Sequence, residues 1–129
     1  MSDTVTLSLP VRSELLVLAR ITAATMASRA DFDIEEIEDL RLAVDELCLS
    51  VVWGAKSGTV RLEFSVDEAT IAITCELDGS GEPDDVVGPG EPDDLSMRLI
   101  EALVDEHGRE SSDSRRRAWL SKRRSRVEH

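Results

Sequence analysis

The chain has 129 residues and a mass of 14.2 kDa, the size of one domain around one hydrophobic core. Apolar residues make up 41% and charged residues 33%, which suits a folded globular protein and excludes global disorder. Fifteen basic against 27 acidic residues give a formal charge of −12, a balance that repels nucleic acid and attracts basic partners.

That charge is uneven: residues 115–126 hold seven basic residues and no acidic one, which leaves −19 on the rest. No apolar run is long enough for a transmembrane helix. Residues 1–10 lack the basic start and apolar block of a secretory signal, so the expected compartment is the cytoplasm. Cys48 and Cys75 are the only cysteines, both in apolar segments; they read as buried free thiols and exclude a disulfide framework. His107 and His129 are the only histidines, which excludes a histidine-rich metal site.

Thr4–Leu9 alternates with period two and reads as a half-buried strand ended by Pro10. From Ser13 to about Ala30, Leu15, Leu16, Ala19, Ala23 and Met26 recur at helical spacing. Asp33 followed by Glu36 forms a capping-box pattern before a second helix. Ile34, Ile37, Leu40, Val44, Leu47, Cys48 and Val51 give that helix its apolar stripe, and it should end between Trp53 and Gly54. Val60–Val66 and Ile71–Cys75 then alternate around Asp67-Glu68-Ala69, the pattern of a hairpin. Residues 78–93 contain seven Gly or Pro in sixteen and read as a long functional loop. Asp93 or Asp94 can cap a third helix through Leu95, Leu99, Ile100 and Leu103. A last strand is expected around Ala118–Leu120. The predicted fold is an α/β (α+β) two-layer sandwich, with a mixed, mostly antiparallel sheet and helices on one face. It forms a single domain over residues 1–122, followed by a basic tail over 123–129.

The run Asp39-Leu40-Arg41-Leu42-Ala43-Val44-Asp45-Glu46-Leu47-Cys48 resembles the signature helix of bacterial anti-sigma factors with serine-kinase activity, the RsbW type of the GHKL ATPases. Arg98-Leu99-Ile100-Glu101-Ala102-Leu103-Val104-Asp105-Glu106 is similar to that family's closing helix, and a Gly-containing turn lies between them in the right order. The resemblance spans nearly the whole chain and implies the two-layer Bergerat fold.

The same resemblance implies where a nucleotide site would lie, and each of its three motifs departs from the family. A helix Glu acts there as general base and an Asn four residues later holds Mg²⁺; here Glu46 is present and Ser50 replaces the Asn. An Asp-x-Gly-x-Gly motif reads adenine through its Asp. Aligned on Gly79 and Gly81, that Asp becomes Leu77, with Glu76 and Asp78 as the nearby carboxylates. The phosphate-wrapping Gly-Leu-Gly-Leu becomes Asp94-Leu95-Ser96-Met97, and Asp94 competes with an anion for the start of the helix. Lost or weakened binding of ATP and Mg²⁺ is therefore expected.

What the resemblance leaves is the binding half of the family's work: sequestration of a sigma factor in stress-response transcription, with release by an antagonist protein, in a homodimer. The expected partner surface is the acidic cluster Asp31, Asp33, Glu35, Glu36, Glu38 and Asp39. The alternative is an active serine-protein kinase that phosphorylates the antagonist, with Glu46 as its base. Direct nucleic-acid contact through residues 115–126, with Trp119 available to stack, is opposed by the acidic body. Those arginines read instead as flanking an edge strand, where charge discourages aggregation.

Overall fold

The computed structural model describes residues 2–52, 55, 57–78, 94–112 and 115–125. Its elements run β1 (Ser2–Pro10), α1 (Ser13–Arg29), α2 (Ile34–Val52), β2 (Thr59–Asp67), β3 (Thr70–Asp78), α3 (Asp94–Leu103), β4 (Glu106–Ser112) and β5 (Arg115–Arg123). Trp53, Gly54, the glycines at 79 and 81, and the rest of the expected loop to Asp93 lie outside the described residues, as do residues 126–129 of the basic tail. Among the described residues no helix is long and apolar enough to cross a membrane.

The alternating segments form the sheet, in the order β1-β2-β3-β5-β4. All four pairings are antiparallel, so the parallel component of the expected mixed sheet does not occur among the described strands. Period two sorts each strand into two faces. Val60, Leu62 and Phe64 of β2, Ile71, Ile73, Cys75 and Leu77 of β3, and Ala118 and Leu120 of β5 are buried against the helices. Arg61, Glu63, Thr74, Glu76 and Trp119 fall on the other face. The buried side of α1 carries Ala19, Ala23 and Ala27, small residues that let it lie close against Leu40, Val44 and Leu47 of α2.

The capping box forms as read. The Glu36 amide donates to Asp33 Oδ1 at 2.8 Å, and the Asp33 amide donates to Glu36 Oε1 at 2.9 Å. Before it, Asp31 turns the chain from α1 to α2 with φ 68°, a left-handed position where Asp is better tolerated than most side chains. Between β2 and β3, Glu68 takes the same region with φ 59° and closes a two-residue turn.

Two expectations about the C-terminal third need correction. The segment similar to a closing helix through Glu106 is helical only to Leu103, and Glu106–Ser112 is the edge strand β4. Its sequence, Glu-His-Gly-Arg-Glu-Ser-Ser, has no apolar alternation, because an edge strand of this kind is held by backbone pairing to β5. Its one signal is Gly108. A Cβ there would lie 2.2 Å from Trp119 Cζ2 across the strand pair, so only glycine fits beneath that ring. The second correction concerns β5, which lies between β3 and β4 and is not an edge.

Its basic residues have specific tasks. Even-numbered positions of β5 face the helices, and there Arg116 and Lys122 bracket buried Ala118 and Leu120. Arg116 Nη1 donates to the Val51 carbonyl at 3.1 Å, and Lys122 Nζ to the Leu103 carbonyl at 2.7 Å. Arg124 Nη1 donates to the Ala30 carbonyl at 2.7 Å. These carbonyls sit at the C-terminal ends of α2, α3 and α1 in turn, where unpaired acceptors and the negative end of the dipole favour a cation. Neither α2 nor α3 has a basic residue in its own last turn. The seven-residue basic cluster thus supplies, from a distance, what two of the helices lack.

Candidate functional site

Glu46 and Ser50 lie one turn apart on α2, as the i,i+4 spacing requires. Glu46 is half-buried, while Ser50 is 4% exposed and its hydroxyl donates to the Leu47 carbonyl at 2.8 Å. The hydroxyl hydrogen is spent within the helix, so Ser50 turns no donor toward a ligand. Neighbouring Asp45 accepts a hydrogen bond from Arg20 Nε at 3.2 Å, tying α1 to α2.

At the end of β3, Leu77 is 2% exposed and belongs to the hydrophobic core. Its cross-strand partners are Val60 on one side and Arg116 on the other. Glu76 and Asp78 project to the opposite face of the sheet, and Glu76 is engaged there by Arg115 Nη1 at 3.4 Å. Neither carboxylate therefore takes over the position that Leu77 fills. Arg116 crosses from β5 to the end of α2 beside this leucine, and burial lowers its pKa from the ordinary guanidinium value. Ser96 falls in the first turn of α3, whereas Gly79 and Gly81 lie outside the described residues.

The described groups around Leu77 are an apolar side chain and a guanidinium, with no acceptor for the amino group of adenine. Among the described residues no group of three His, Cys, Asp or Glu could hold a metal ion. Beneath the site, Cys48 and Cys75 are both free and buried. A hydrogen bond with Cys48, and then burial, hold the Cys75 thiol well above its ordinary pKa, which keeps it neutral and a poor nucleophile.

The acidic cluster gathers at the N-terminal end of α2, but its members are not equivalent. Asp31, Asp33, Glu35 and Glu38 are exposed, Asp39 is half-buried, and Glu38 pairs with Arg41 at 3.2 Å. Glu36 is a correction: it is 9% exposed, with one carboxylate oxygen in the capping box and the other accepting from the Ser125 amide at 2.6 Å. It pins the chain end to α2 and leaves no free oxygen for a partner.

Composition hid the apolar part of this surface. Leu42 and Leu49, two turns apart on α2, are each 51% exposed, and Ile21 of α1 is 54% exposed. Their outward direction follows from the helical period once Val44 and Leu47 are assigned to the core. The outer face of the helical layer thus sets exposed leucines among the acids Glu35 and Glu38. An apolar patch rimmed by charge marks a surface that meets another protein.

A family profile described as a histidine kinase-like ATPase domain matches residues 9–122. Over 126 residues the chain is 30% identical to the serine-protein kinase RsbW of Listeria innocua, an alignment covering 82% of this chain and 78% of the relative. It is 30% identical over 122 residues to the serine-protein kinase RsbW of Bacillus subtilis, covering 81% and 76% respectively. Against the anti-sigma-F factor RsbW of Mycobacterium tuberculosis it is 33% identical over 103 residues, covering 79% of this chain and 58% of the relative.

Proposed function

This chain belongs to the histidine kinase-like ATPase family, in its RsbW-type branch, and from that premise we propose that it is an anti-sigma factor that works without ATP. It binds a bacterial sigma factor, withholds it from transcription initiation, and releases it when an antagonist protein competes for the same surface. The acidic and apolar outer face of α1 and α2 is the contact surface. Its charge draws the basic DNA-reading segments of a sigma factor, and Leu42 and Leu49 supply apolar area once contact is made.

Leu77 carries this reading. The residue that would accept from adenine is an apolar side chain packed into the core. A family member that gives up the nucleotide keeps the half of its activity that needs only a surface. The test is inhibition of transcription in vitro by RNA polymerase reconstituted with each sigma factor of the source organism. The reading expects one sigma factor to be inhibited in the absence of nucleotide, with inhibition weakened at least tenfold in Leu42→Glu. Inhibition that requires ATP would overturn it.

The competing reading is a working serine kinase, and the half-exposed carboxylate of Glu46 is the observation in its favour. Transfer of labelled phosphate from ATP to a serine of an antagonist protein, abolished in Glu46→Ala, would establish that reading instead.

A further inference from the structure

β5 ends at Arg123, and the next two residues leave the sheet for the helical layer. No described strand pairs with them beyond the last ladder partners, Thr70 and Arg123. Hydrogen bonds to separate elements hold them instead. The Arg124 amide donates to the Ala69 carbonyl in the β2–β3 turn at 2.6 Å, and its guanidinium donates to the Ala30 carbonyl at the end of α1 at 2.7 Å. The Ser125 amide donates to Glu36 Oε2 at the start of α2 at 2.6 Å. The chain end thus bridges a hairpin turn and the α1–α2 connection.

That connection is the acidic part of the molecule. Asp31, Asp33 and Glu35 are exposed on it, and Glu36 is buried. The capping box uses only one oxygen of Glu36, the Oε1 that accepts from the Asp33 amide. The other oxygen goes to the chain end. The segment that takes it is the basic one: residues 122–126 include Lys122, Arg123, Arg124 and Arg126, on a chain of formal charge −12. A basic segment of this chain therefore holds, in cis, the groups that would draw a basic segment of another protein. Its tether keeps it there at high effective concentration, yet a chain end opens more readily than a core strand.

We propose that this contact is autoinhibitory: the basic chain end is a resident competitor at the start of α2, which a partner protein's basic segment must displace. The displacing segment offers a guanidinium to the Ala30 carbonyl and a backbone amide to Glu36 Oε2. This gate, which rests on reading the acidic start of α2 as partner surface, frees both acceptors together, because adjacent residues hold them. Glu36 keeps its bond to the Asp33 amide throughout, so α2 stays capped when the chain end leaves.

Full-length variants test this with a basic probe of known sequence, a fluorescent synthetic peptide of residues 121–129. Arg124→Glu puts an anion in place of the cation at the end of α1, and Ser125→Pro removes the amide that Glu36 accepts. Both should keep the circular dichroism spectrum of the wild type. In anisotropy titrations each should bind the peptide at least tenfold more tightly than the wild type, because the site is no longer filled in cis. A peptide carrying Arg124→Glu should show no saturable binding, whereas one carrying Arg123→Glu, equal in charge, should still bind. A readout on the wild type needs no substitution in the protein: excess unlabelled peptide should speed exchange of the Ser125 amide at least fivefold. Equal peptide affinity in the wild type and both variants would overturn the proposal, as would a Ser125 amide whose exchange the peptide leaves unchanged. None of these measurements involves a sigma factor, so failure to find an inhibited sigma factor would strike the proposed function alone.

Discussion

The two ends of α2 are fixed by different kinds of information. Its N-terminus is held by Asp33 and Glu36, three residues apart, each closing a hydrogen bond on the other's amide. Its C-terminus is held by Arg116, 65 residues further along the chain, whose guanidinium reaches the Val51 carbonyl. The first arrangement is visible in any short window of sequence. The second exists only after β5 has been placed beside β3, and in the sequence it looks like surplus charge. Helix termini carry the same unmet backbone groups at either end, so the difference lies in where the partner is encoded.

Substitutions can break this contrast, starting with the most remote kind of constraint. Gly108→Ala forces a methyl group into the Trp119 ring and should cost about 2–3 kcal/mol, a fall of about 8–10 °C in melting temperature. Glu36→Ala removes the acceptor of both the Asp33 and Ser125 amides and should cost about 2 kcal/mol in chemical denaturation, with Glu36→Gln recovering part of it. Arg116→Ala leaves the Val51 carbonyl without its cation and should cost about 1 kcal/mol, measurable as earlier amide exchange in the last turn of α2. Breaking the half-exposed Arg20–Asp45 pair should cost about 0.5 kcal/mol or less, an effect that fades with added salt. If Arg116→Ala cost more than Glu36→Ala, the distant cap would be the stronger hold, and the contrast would reverse.

The same division explains how much of the molecule could be read in advance. The strands β1, β2 and β3 announce themselves because one face is apolar and the other polar, as Val60, Leu62 and Phe64 show against Arg61 and Glu63. Helix α2 carries a clear stripe, whereas α1 spreads apolar residues around its circumference, with Val17, Leu18 and Ile21 exposed; the capping box between them is local chemistry. β4 could not be read that way, because its pairing to β5 is a property of backbone and of one glycine fitted beneath a tryptophan. For the site, Leu77 and Ser50 were legible as departures from the motifs of the family that the chain resembles. The burial of Leu77, the inward bond of Ser50 and the placement of Glu76 and Asp78 on the other face came from the folded register. Glu36 shows the limit of reasoning from charge. Among six acids in nine residues, the one buried member is distinguished only by what folds against it, the amide of Ser125.

Calorimetric titration of the full chain with ATP in the presence of Mg²⁺ bears most directly on the account, because the proposed function rests on Leu77 replacing the base-reading carboxylate. The account predicts no saturable heat at ATP concentrations that saturate the kinases of this family, and no shift in melting temperature on adding the nucleotide. A saturable isotherm with a low-micromolar Kd, weakened in Glu46→Ala, would contradict it.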